Sequence, residues 1–168
     1  MSDAAGNTYA LLLRFTASDG TEMSIWTAQI TRGAGTRPAI TAKPTSQADV
    51  GVVALEYGGL SAATGSAVVD RLAQASGTTG ASAASVSSGP TAPTTTPGLA
   101  LGFYTDSGPR STLTGGAGFT VRANLSGFTD MEALAEDRTV GVGAVPAASV
   151  GTSARTVWLM ATVVLVPA

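Results

Sequence analysis

Histidine and cysteine are both absent from the 168 residues. Without them there is no imidazole base, no thiolate nucleophile, no Ser-His-Asp triad, no thiolate or imidazole metal site and no disulfide. Charge is scarce as well. Charged side chains make up 12% of the chain, about half the usual share. Nine Lys+Arg against eleven Asp+Glu give a net charge of −2 and an isoelectric point of about 4.9. The clustered cationic face that drives nucleic-acid binding is therefore not expected. Aromatic residues amount to only 5%. The longest apolar stretch, residues 156–166, is too short to cross a bilayer, so no membrane insertion is expected. The first seven residues lack a basic stretch followed by an apolar run, and no secretory leader is expected.

What fills the chain instead is small. Ala, Thr, Gly and Ser together exceed half of it, and the mean hydropathy is +0.28. A weakly charged surface of small residues is solvated through hydroxyls and backbone groups. Such a surface suits packing against further copies better than it suits a free enzyme.

The hydrophobic period is 2 almost throughout, which reads as strands. Tyr9, Leu11, Leu13 and Phe15 alternate with Ala10, Leu12, Arg14 and Thr16, and Asp19-Gly20 follows as a hairpin turn. Residues 22–32 continue with Met23, Ile25, Thr27 and Gln29 on one face and Trp26, Ala28 and Ile30 on the other. A short strand is expected at Ile40. Residues 49–57 carry Val50, Val52, Val53, Ala54 and Leu55, apolar on both faces, which predicts a central strand covered on two sides. Residues 68–75 fit either a strand or a short helical turn. Residues 76–98 are almost wholly Ser, Thr, Gly, Ala and Pro. They predict an excursion within one domain spanning 1–168, with a Thr-rich edge strand at 91–96 blunted by Pro90, Pro93 and Pro97. Strands are further expected at 99–105, at 119–122 after the Gly115-Gly116-Ala117-Gly118 run, and at 137–142. The last, 156–166, sets Trp158, Met160, Val164 and Val166 on one face and Val157, Leu159, Val163 and Leu165 on the other. This strand must be buried in a sandwich or at an assembly interface. The pattern predicts an all-β antiparallel β-sandwich, jelly-roll-like or immunoglobulin-like, of about seven to nine strands.

The segment Ser2-Asp3-Ala4-Ala5-Gly6-Asn7-Thr8-Tyr9 resembles the "SDxxGNTY" segment of a β-sandwich module of bacterial surface proteins and phage structural proteins. Ala54-Leu55-Glu56-Tyr57-Gly58-Gly59-Leu60, Gly118-Phe119-Thr120, Glu136-Asp137-Arg138 and the terminal apolar strand extend the resemblance over most of the chain. It implies a sandwich fold with no known chemistry. Modules of this kind carry strands ahead of the segment at which this chain starts. The resemblance therefore implies either an open edge, completed by strand addition from an adjacent subunit or by this chain's own extended segment, or a member of the family with fewer strands.

Each remaining candidate site has a plain structural explanation. Asp130, Glu132, Glu136 and Asp137 are the acids available for a paired-carboxylate hydrolase, but Arg138 beside Asp137 points to a structural ion pair. Asp19-Gly20-Thr21-Glu22 and Thr105-Asp106-Ser107-Gly108 offer turn oxygens to Ca²⁺. Neither has the Asp-rich spacing of a dedicated loop, and ordinary Asx-turns account for both. The glycine run lacks the Lys-Ser/Thr of a phosphate loop. Trp26, Tyr57 and Tyr104, with Trp158, are the aromatics available to face a sugar, and each also fits a core pattern. No cofactor, metal or catalytic residue is expected.

The sequence thus predicts a non-enzymatic structural protein that self-assembles through strand faces and edges. The expected setting is a virion, as a phage capsid decoration, head or tail protein, or a filament. Trp158, Met160, Val164 and Val166 are the expected interface, and further copies or other virion or filament subunits the expected partners. A carbohydrate-binding or adhesive module of a cell surface or phage tail is the alternative.

Overall fold

The computed structural model describes residues 1–80, 83–108, 110–127, 131–153 and 155–168. In chain order the strands are β1 (Ser2–Asp3), β2 (Tyr9–Thr16), β3 (Glu22–Ala28), β4 (Ile40–Thr41), β5 (Val69–Thr78), β6 (Ala84–Ser87), β7 (Gly98–Asp106), β8 (Leu113–Gly115), β9 (Thr120–Leu125), β10 (Ala133–Val140), β11 (Ser149–Thr152) and β12 (Val157–Leu165). One 3-10 turn, Gly65–Val68, leads into β5. The architecture is an all-β antiparallel sandwich. Its centre is a five-stranded sheet in the order β5-β12-β7-β10-β9. A three-stranded sheet, β6-β11-β8, and the β2-β3 hairpin complete the main layers.

β12 explains why both layers are needed. Alternate side chains of a strand point to opposite faces, and here both sets are apolar. Leu159, Ala161, Val163 and Leu165 join Ala17, Met23 and Ile25 of the hairpin in one buried cluster. Met160 joins Tyr104, Leu134, Val86, Leu113, Ala148 and Val150 in the other, on the side of the three-stranded sheet. Each fully buried aliphatic side chain contributes about 1.5–3 kcal/mol, so the two-sided strand anchors the fold.

This placement corrects the expected assembly face. Met160 and Val164 are fully buried within the single chain. Trp158 is half-buried against the second cluster. Val166 is half-buried, and its backbone binds Val68 and Ser61. The apolar face read from the sequence is filled by the chain's own β6, β8 and β11. Those strands are short and Ser/Thr-rich, and their two inward valines, Val86 and Val150, gave little signal.

The turn after β2 is as expected. Gly20 sits at φ +92°, a conformation that favours glycine, and the Asp19 carboxylate accepts the Thr21 N–H at 3.0 Å. Residues 49–57 are not a strand. Val50 and Val52 are exposed, while Val53, Leu55 and Tyr57 are half-buried. Among the described residues, no backbone hydrogen bond involves residues 42–58. The alternation is real, but it belongs to an extended strap that meets the sheet through side chains. Gly51 lies against Met131, and Tyr57 reaches Asp137.

The Ser/Thr/Pro-rich excursion contains the end of β5 and all of β6. Its 91–96 stretch is not a regular strand, because Pro93 has no N–H to donate to a ladder. It is tied to the loop before β11 instead. Thr91 N–H donates to Pro146 O at 3.0 Å, Thr94 N–H to Ala144 O at 2.9 Å, and Thr94 Oγ1 to Gly141 O at 2.7 Å.

Candidate functional site

The central sheet ends at β9, and five of its six residues are exposed. Val121 and Leu125 are among the exposed large apolar side chains. An edge strand presents a row of unpaired N–H and C=O groups on its outer side. Next to this edge lies an open pocket of about 600 Å³, lined by Tyr57, Leu99, Thr120, Arg122, Asp137 and Arg138.

Asp137 organises the pocket wall. Its Oδ2 accepts hydrogen bonds from Arg122 Nε and from the Tyr57 hydroxyl, each at 2.7 Å, and only 3% of the residue is exposed. The bond from Arg122 holds the Asp137 carboxyl below its ordinary range, and the Tyr57 hydroxyl adds to that. Burial, then the carboxylate, pushes the Tyr57 phenol up, so it stays a donor at neutral pH. The expected Asp137–Arg138 pair does not form. Neighbouring residues of a strand face opposite ways, and the Arg138 guanidinium stacks 4.7 Å from the centroid of Phe119 instead.

The three candidate ligand-facing aromatics are not brought together. Tyr57 lines the pocket and packs against the hairpin-side core. Tyr104 is 2% exposed, inside the core on the opposite face of the sheet. Trp26 is half-buried on β3, paired with the exposed Leu11. No two of them form a common platform.

Of the acids, Asp130 lies outside the described residues. Glu136 is fully buried, with its Oε2 accepting the Gly116 N–H at 2.7 Å and its Oε1 the Ser149 N–H at 3.3 Å. Burial pushes its carboxyl up. The glycines around it make room. A Cβ at Gly102 would stand 2.8 Å from Glu136 Cγ, and one at Gly116 would stand 2.6 Å from the Ser149 carbonyl oxygen. The glycine run is therefore part of a collar on a buried carboxylate.

Two other acids do meet. β7 and β10 pair Thr105 with Ala133, so Asp106 and Glu132 come next in the ladder, side by side. Both are fully buried, and Tyr104 Oη donates to Asp106 Oδ2 at 2.7 Å. Burial, with Asp106 beside it, raises the Glu132 carboxyl to about 8. Both side chains are closed off from solvent, so the pair offers no open face to a glycosidic bond. Sequence reading missed it because the partners are 26 residues apart and meet only through strand register.

The Ser2–Tyr9 segment is a hydrogen-bonded knot. Asp3 Oδ1 accepts the N–H groups of Ala5, Gly6 and Asn7 at 2.9, 2.7 and 3.1 Å. Asp3 Oδ2 takes the Asn7 amide at 2.9 Å and the Tyr9 hydroxyl at 3.1 Å. Asn7 Oδ1 in turn accepts the N–H groups of Thr31 and Arg32 at 2.9 and 3.0 Å. These bonds, Asn7 first, lower the Asp3 carboxyl to about 2. The two turns read as possible Ca²⁺ ligands touch each other, Ser107 Oγ donating to Asp19 Oδ2 at 2.6 Å.

In comparisons with known proteins the chain matches no family model, no curated protein and no solved structure.

Proposed function

We propose that the chain is a non-enzymatic structural module that assembles with further copies through its exposed sheet edge. The setting is a virion, as a capsid decoration, head or tail protein, or a filament. The observation that carries this reading is β9, a six-residue strand closing one side of the central sheet with Val121 and Leu125 exposed. The core is already closed on both faces of β12 within one chain. A neighbour therefore adds to an edge and does not complete the core. The low charge and the resemblance to phage and bacterial-surface sandwich modules support the same reading. About 1,000 Å² of apolar area, at about 25 cal/mol per Å², is ample for a stable contact. Hydrogen exchange tests the edge directly. Concentrating the protein should slow the outward-facing amides of residues 120–125 and leave β12, already protected, unchanged. Fast exchange of residues 120–125 at every concentration would count against the proposal.

One observation favours a second reading, a carbohydrate-binding or adhesive module. The pocket beside β9 places the Tyr57 ring next to Arg122 and Asp137, a polar and aromatic lining suited to hydroxyl groups. Among the described residues one aromatic, Tyr57, lines that pocket, which is why assembly is the leading reading. Chemical-shift changes confined to the pocket residues on adding sugars would reverse the order.

A further inference from the structure

We propose that the buried oxygen cluster where β7 ends and β10 begins binds one divalent cation, Ca²⁺ by its ligand chemistry, through Asp106, Glu132 and the hydroxyls of Ser111 and Thr152. The first support is charge. Asp106 and Glu132 are each 0% exposed. Among the described residues, the three ion pairs are Arg14–Glu22, Arg71–Asp70 and Arg122–Asp137, so neither buried carboxylate has a basic side chain as partner. Two carboxylates in a dry interior need a neutralising partner.

The second support is independent of charge. Glu132 Oε2 and Ser111 Oγ are buried and lack a hydrogen-bond partner, and the buried Thr152 Oγ1 has only the Tyr104 hydroxyl within reach. Ser111 and Thr152 are 0% and 2% exposed. Both belong to the cluster: Ser111 N–H donates to Glu132 Oε1 at 2.9 Å, and Thr152 lies beside the Tyr104 hydroxyl that binds Asp106. Buried polar atoms are nearly always satisfied, and two orphans at one carboxylate pair require an explanation. A proton shared between the two carboxyls satisfies Glu132 Oε2 and leaves the Ser111 hydroxyl orphaned. A cation gives Glu132 Oε2 and Ser111 Oγ a partner, adds Thr152 Oγ1 as a further ligand and cancels both charges.

The ligand set is all oxygen, with no nitrogen or sulfur donor, which selects a hard ion. Ca²⁺ accepts irregular sets of carboxylate, hydroxyl and carbonyl oxygens. Mg²⁺ demands near-octahedral geometry and keeps its waters, which this dry cluster disfavours.

The test uses the full chain, stripped with a chelator and titrated with CaCl₂ near neutral pH by calorimetry and thermal unfolding. MgCl₂ and NaCl at matched ionic strength serve as controls. One Ca²⁺ per chain is expected, with a saturable rise in Tm that Mg²⁺ does not reproduce. Ser111→Ala removes one orphan hydroxyl and keeps both carboxylates. It should retain the calcium-free Tm and weaken calcium binding about tenfold or more. Glu132→Gln should abolish the response, and if it does not fold, Ser111→Ala alone decides. Absence of any calcium heat or Tm change in the full chain overturns the proposal, leaving a shared proton and buried water as the neutralising and bridging groups. A calcium response undiminished in the variants overturns it equally.

Discussion

Glu136 Oε2 accepts the Gly116 amide proton at 2.7 Å, and this bond joins the central sheet to the turn between β8 and β9. It also fixes what residue 116 can be. A Cβ there would lie 2.6 Å from the Ser149 carbonyl oxygen and 3.1 Å from Glu136 Oε1. Gly116→Ala should therefore destabilise the fold by about 1–3 kcal/mol, the range for overpacking a well-filled interior. Urea unfolding at constant m-value checks this. A neutral result would mean that the turn has slack to move.

The same carboxylate sets a pH dependence. Burial raises the folded-state affinity of Glu136 for its proton. The folded state binds more protons than the unfolded one above the ordinary glutamate range. Its contribution to stability is complete below that range and is lost as pH rises through the raised value. Glu136→Gln should flatten this part of a Tm-against-pH curve, leaving the acid side unchanged.

Asp3 acts in the opposite sense. Its carboxyl is held down to about 2, against an ordinary 3.8. Its contribution is present above the ordinary value and is lost as pH falls through about 2. Asp3→Asn should remove that acid-side slope. It should also raise hydrogen exchange at Ala5, Gly6 and Asn7, whose amides bind the carboxylate.

Tyr57 and Asp137 are 80 residues apart and joined by one 2.7 Å bond. Tyr57→Phe leaves Asp137 paired with Arg122, so only that bond is lost. The expected cost is about 1.5–3 kcal/mol, typical of a hydrogen bond to a charged group, with the strap of residues 49–57 becoming more accessible to protease. Leu159→Ala, at the centre of the hairpin-side core, should cost more, about 2–5 kcal/mol.

Legibility in the sequence followed the strength of the period-two signal. β2, β7 and β12 are long and apolar, and each was readable from alternation alone. The Asp19-Gly20 turn was readable from its chemistry. β6, β8 and β11 were not, because each has three or four residues and at most one large apolar side chain. The strap misled for the converse reason. Val50 to Leu55 has the right composition, but composition does not say whether a sheet position is free to pair. The pocket pair Arg122–Asp137 and the buried pair Asp106–Glu132 depend on strand register, which local sequence does not encode. Asp3 and Asn7 stand in a recognisable motif, yet its tie to Thr31 and Arg32 appears only in three dimensions.

The most direct test of edge-mediated assembly is the solution mass, by light scattering over a range of concentrations, of the native chain and of the double variant Val121→Lys/Leu125→Lys. Both positions are exposed on β9, and lysine blocks edge pairing. The native chain should form multimers with rising concentration. The variant should remain at monomer mass, with Tm changed by no more than about 0.5 kcal/mol equivalent per site. A native chain that stays monomeric throughout, or multimers that persist unchanged in the variant, would contradict the account.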